Sequence, residues 1–175
     1  MAIISAAVMI RSISLFHITL AALLLKNPQK IANQGVVLLL GQSMQLPTPR
    51  EFQTPSASLS FLAILFAFLG LSDLTAVSMN EELSDEYWGA QAPVRLLFLF
   101  VLTGYTYTFK EGGLMAPRSA EYLMSDGNTL NNSIVFTWGF LEMAAWFWVY
   151  VTLRDERREK VNKVVAKRNA EAARL

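Results

Sequence analysis

Five ionisable side chains lie inside or at the edges of long apolar stretches: Arg11, His17, Asp73, Arg95 and Glu142. Such groups, when removed from water, either pair with one another or line an ion or proton pathway, because an isolated charge in hydrocarbon costs a few kcal/mol or more. Glu142 is the sharpest case. It is the one charge in the run SIVFTWGFLEMAAWFWVYVTL, residues 133–153. On a helix its face is shared with Trp138 and Trp146, four residues to either side, so this stripe must bury against other helices. Counting depth at about 1.5 Å per residue places Glu142 and His17 near mid-membrane, with Arg11, Asp73 and Arg95 within roughly two turns of the surface that bears the termini. Two polar layers follow. The simpler reading of each is charge pairing that fixes helix neighbours, with Arg95 and Arg11 snorkelling to the surface; the alternative for each is an ion or proton pathway.

The elements that must hold these groups are helices. The fold class is an all-α membrane protein with four transmembrane helices at about 3–25, 59–77, 93–109 and 133–153, each an apolar run near the length a span requires. Residues 31–46 carry the core GVVLLLGQSM, too short to span and bracketed by glycine and proline, and read as an interfacial or re-entrant helix. Pro93 suits the first turn of the third span, where its missing amide costs nothing, and the acidic, aromatic segment before it reads as an interfacial loop. A polar connector with Gly112, Gly113, Pro117 and Gly127 as breakers leads to the last span. Trp146, Trp148 and Tyr150 band the basic end of that span, and Trp138 extends the aromatic packing face. Residues 1–153 thus form one membrane domain and 154–175 a charged tail, a helical continuation into water carrying Arg154, Arg157, Arg158, Lys160 and Lys163.

Composition narrows the chemistry. The chain is 53% hydrophobic with the apolar residues in blocks, and its 15 basic and 14 acidic residues nearly cancel, which gives no reason to expect a nucleic-acid partner. Having no cysteine and one histidine, it offers neither a thiolate nor a multi-histidine metal site. No GxGxxG, P-loop, GxSxG, HExxH or CxxC pattern occurs, so no enzyme activity and no cofactor are expected. Arg11 and His17 interrupt the first apolar segment, which argues for a retained helix over a signal peptide. With four spans, the excess of basic residues in the tail places both termini in the cytosol. The sequon Asn131-Asn132-Ser133 abuts the last span on the opposite side and should be unmodified.

The blocks LLLKNPQKI, LLGQSMQLP, FLGLSDLT, APVRLLFLFVLT and LNNSIVFTWGFLEMAAWFWVYVTLRDERRE, in that order, resemble the fungal "increased loss of mitochondrial DNA" protein family over nearly the whole chain to Glu159. The resemblance implies a multi-pass membrane protein of the endoplasmic reticulum, rather than a mitochondrial one, linked to mitochondrial genome maintenance. Asp73, Arg95, Asn132 and Glu142 match residue types of the family's motif. The expected function is non-enzymatic: an assembly or folding chaperone, or an accessory subunit, whose partners are an integral membrane protein or complex and the bilayer, with anionic lipid at the tail. The alternative is a small oligomeric ion or proton channel or transporter using Glu142 and His17.

Overall fold

The computed structural model describes residues 4–110 and 130–173. Among the described residues six α-helices follow one another: α1 Ala6–Lys26, α2 Gln29–Ala32, α3 Gly35–Met44, α4 Ala57–Val77, α5 Glu81–Thr108 and α6 Ser133–Ala172. A short 3-10 turn, Arg50–Gln53, precedes α4. The predicted breakers Gly112, Gly113, Pro117 and Gly127 lie outside the described residues.

Local sequence explains where the helices begin and end. Ser5 and Ser56 cap α1 and α4, their hydroxyls accepting from Val8 N–H and Leu59 N–H, and the Asn132 side chain accepts from Ile134 and Val135 N–H at the start of α6; each cap satisfies amides that have no helical partner. Pro28 cannot continue α1 and stops it after Lys26. Gln45, with φ of 56°, terminates α3 in the left-handed conformation, and Leu46 N–H donates back to Gly41 C=O at 2.8 Å. Residues expected as an interfacial segment therefore form α2 and α3, and α3 packs on the start of α6.

Two expectations are corrected. The acidic segment before Pro93 is not a loop, and Pro93 does not open a helix: α5 runs unbroken from Glu81 through Pro93 to Thr108. Glu81 and Glu82 complement the positive end of its dipole, and Trp88 and Ala92 are fully buried on the turns before the proline. Their burial offsets the hydrogen bond that Pro93 cannot donate.

Three helices, α1, α4 and α6, are long and apolar enough to cross a membrane among the described residues. The expected span at 93–109 is the second half of α5, whose apolar run is diluted by Arg95, Thr103, Tyr105 and Tyr107. By geometry α5 lies antiparallel beside α6, from Asp85 against Arg157 at one end to Phe109 against Asn131 at the other. Apolar side chains on the outside of the bundle, among them Phe68 (72% exposed) and Leu97 (66%), suit a lipid environment.

Packing divides the long helices into two pairs, α1 with α4 and α5 with α6. Each is seated on a glycine. A Cβ at Gly70 would stand 2.7 Å from the Ser14 carbonyl and 2.8 Å from Ile18 Cγ1, and one at Gly139 would stand 2.9 Å from Thr103 Oγ1. Gly70→Val is therefore expected to wedge α1 from α4, lowering the unfolding midpoint and the steady-state level of the full chain, whereas Gly35→Val, where the same atom meets open space, is expected to do neither.

Candidate functional site

The two helix pairs meet along a seam held by ionisable groups. From α4, Asp73 (1% exposed) receives a forked pair of hydrogen bonds from Arg95 of α5, Nη1 to Oδ2 and Nη2 to Oδ1, each 2.6 Å. The Arg95 guanidinium also lies 5.2 Å from the Trp88 ring centre and 4.7 Å from that of Trp146, and the two indoles stack at 5.5 Å. A fork to a carboxylate with two π-faces beside it suits Arg and not Lys.

Trp146 carries the seam deeper. Its Nε1–H donates to Glu142 Oε2 at 2.9 Å, and the other carboxyl oxygen stands 2.9 Å from Nε2 of the buried His17 on α1. The contact is a close approach rather than a well-aligned hydrogen bond, and neither ring nitrogen of His17 has a hydrogen-bond partner among the described residues. The ring packs instead against Phe66, whose other neighbour is the edge of Trp138.

Of the five groups singled out in the sequence, four are thus brought together, one from each long helix. The two expected layers are one network, because Trp146 touches both Arg95 and Glu142. Arg11 is outside it, exposed on α1, and Arg95 does not snorkel but is spent on Asp73. Of the expected aromatic band, Trp148 is 63% exposed and Tyr150 half-buried, but Trp146 is buried in the seam. Trp88 is the member that sequence reasoning missed. It lies seven residues before Arg95 and so shares its helix face, a signal hidden by treating Pro93 as a helix start.

The tail is docked as well as charged. Ala6 N–H donates to Glu156 Oε1 at 3.0 Å, Arg157 Nη2 donates to the Asp85 carbonyl at 2.8 Å, and Lys160 bridges Asp85 and Glu81, the latter at 2.6 Å. Asp85 and Glu81 hold the Lys160 ammonium above its ordinary pKa of 10.5. The stabilisation is fully present below the ordinary value and is lost as pH rises through the raised one. Lys163 is exposed further along the tail.

Two grooves adjoin between α5 and α6, sharing Pro93 and Tyr150. The first, about 510 Å³, is lined by Gly89, Leu153, Arg154, Arg157, Arg158, Val161 and Asn162 besides the shared pair. The second, about 590 Å³, is apolar, with Leu96, Leu97, Phe100, Met143, Ala144 and Phe147.

Comparison with known proteins decides the family. The profile of the family "Increased loss of mitochondrial DNA protein 1" matches residues 4–163, which contain the whole seam. The chain belongs to this family. The family's name ties it to loss of mitochondrial DNA. Its relatives include protein ilm1 of Schizosaccharomyces pombe, 26% identical over 84% of this chain and 82% of the relative, and protein ILM1 of Saccharomyces cerevisiae, 29% identical over 85% of this chain. The chain spans about 64% of the budding-yeast relative's length. No solved structure matches it.

At the other end of the bundle, the sequon asparagine Asn131 is 5% exposed and its Nδ2 donates to the Phe109 carbonyl at 2.8 Å. The nitrogen that would carry a glycan is thereby occupied. Endoglycosidase treatment of the chain from a glycosylating host is expected to produce no mobility shift.

Proposed function

We propose that this member of the family is a non-enzymatic membrane protein of the endoplasmic reticulum that assists assembly or folding of another integral membrane protein, or serves as an accessory subunit of a membrane complex. The observation that carries the reading is where the intramembrane charges go. Asp73 and Arg95 close on each other, Glu142 is engaged by Trp146 and His17, and neither groove between α5 and α6 is lined by any of the four. Charges spent on joining helix pairs fit a structural role. In this reading α5 is a fourth span, supported by its alignment with α6 over the membrane-crossing part, and both termini are cytosolic, supported by the basic tail and by the Ala6–Glu156 contact that puts them on one side. The role in mitochondrial genome maintenance is then indirect, through the client or complex.

A second reading, a small oligomeric proton or ion conductor, is favoured by one observation: His17 is buried at 1% exposure beside Glu142 with neither nitrogen satisfied by an aligned hydrogen bond. Affinity purification of the full chain in mild detergent, followed by mass spectrometry, separates the two. Stoichiometric membrane-protein partners are expected; self-association alone, with proton flux in reconstituted vesicles, would replace the first reading by the second.

A further inference from the structure

The adjoining grooves between α5 and α6 change character along their length. At the tail end the wall presents Arg154 and Arg158, one helical turn apart, both exposed and without an ion pair among the described residues. Arg157 lies beside them, its guanidinium packed on the bare backbone of Gly89 and donating to the Asp85 carbonyl. Two of the acids at this end of α5, Asp85 and Glu81, are held by Lys160. Past the shared Pro93 and Tyr150, toward the middle of the bundle, the walls become wholly apolar, with Leu97, Phe100 and Phe147 all more than half exposed. The cationic part therefore sits where the chain leaves the hydrocarbon and the apolar part within it.

We propose that this composite groove is a binding site for one anionic phospholipid, its phosphate and acidic headgroup held by Arg154 and Arg158 and one acyl chain laid along Leu97, Phe100, Ala144 and Phe147. Two guanidinium groups without ion-pair partners among the described residues provide a fork for phosphate oxygens, and the apolar extension selects a lipid over a free anion. An acidic protein segment would leave the apolar half unfilled. The assignment does not depend on the chaperone reading, since a lipid site serves a scaffold or a conductor equally.

Native mass spectrometry of the full chain in detergent tests it, with palmitoyl-oleoyl phosphatidylserine and the matching phosphatidylcholine as probes. One phosphatidylserine per chain is expected to be retained in preference to phosphatidylcholine. The variant Arg154→Gln with Arg158→Gln should weaken retention roughly 30-fold, from about 1 kcal/mol per basic residue at a membrane surface. Lys163→Gln with Lys167→Gln removes the same charge outside the groove and should leave retention unchanged. Ala144→Trp should displace the lipid by filling the apolar half. Equal retention of the two lipids, equal loss in the two charge variants, or stripping of the lipid by millimolar inorganic phosphate would each overturn the site. So would a photo-crosslinker at Leu97 that captures polypeptide in place of lipid.

Discussion

Replacing Arg95 by Met is expected to destabilise the folded bundle by about 3–5 kcal/mol, because it leaves a buried carboxylate without its partner. Asp73 is 1% exposed, accepts both prongs of the guanidinium, and has no other hydrogen-bond donor among the described residues. The substitution also removes the cation from beside Trp88 and Trp146. Asp73→Asn should be comparably harmful, since it strands the guanidinium. The pair Asp73→Leu with Arg95→Met should recover most of the loss, as buried ion pairs replaced by apolar groups of similar volume are often neutral or better. Thermal unfolding of the detergent-solubilised full chain and its steady-state level in cells measure this. A double variant as unstable as the sum of the single losses would mean that the two residues are not coupled.

Glu142→Leu is the second large effect, expected at about 3 kcal/mol, because it removes the acceptor of the buried Trp146 Nε1–H and the carboxylate beside His17. Trp146 would then lose its anchor, and its ring is the platform that Arg95 shares with Trp88. The damage should spread to the Asp73–Arg95 pair. His17→Leu should cost less, since Glu142 keeps the Trp146 hydrogen bond. Unfolding midpoints in the order wild type, His17→Leu, Glu142→Leu are expected; equal midpoints for the two variants would place the weight of the seam on His17.

Much of this arrangement was legible because hydrocarbon imposes simple constraints. The run before Leu153 announced a helix by length, whereas the cap that Asn132 supplies at its start was hidden in what read only as a glycosylation sequon. Depth grouped His17 with Glu142, which meet, and put Arg11 with Asp73 and Arg95, of which only the last two pair while Arg11 stays exposed. Pro93 misled, because the rule that proline opens helices ignores what precedes it. Here Trp88 and Ala92 bury enough surface to hold the helix through the missing hydrogen bond, and once those residues are read as loop, the shared face of Trp88 and Arg95 disappears. The joining of the two layers was illegible for another reason: depth measured along a helix gives no information on how far an indole reaches sideways. The division into α1/α4 and α5/α6 pairs rests on close approaches at Gly70 and Gly139, and Gly139 had not stood out among the bulky residues of the last span.

The central claim is that the intramembrane charges join helix pairs and do not conduct. Glu142→Gln tests it most directly, because the amide keeps an acceptor for Trp146 and a polar group for His17 while abolishing titration. Measured together, the unfolding midpoint of this variant and the membrane-protein partners that co-purify with it should both match wild type. A variant of normal stability and abundance that has lost its activity in cells while its partners still co-purify would contradict the claim and assign Glu142 to a proton or ion pathway.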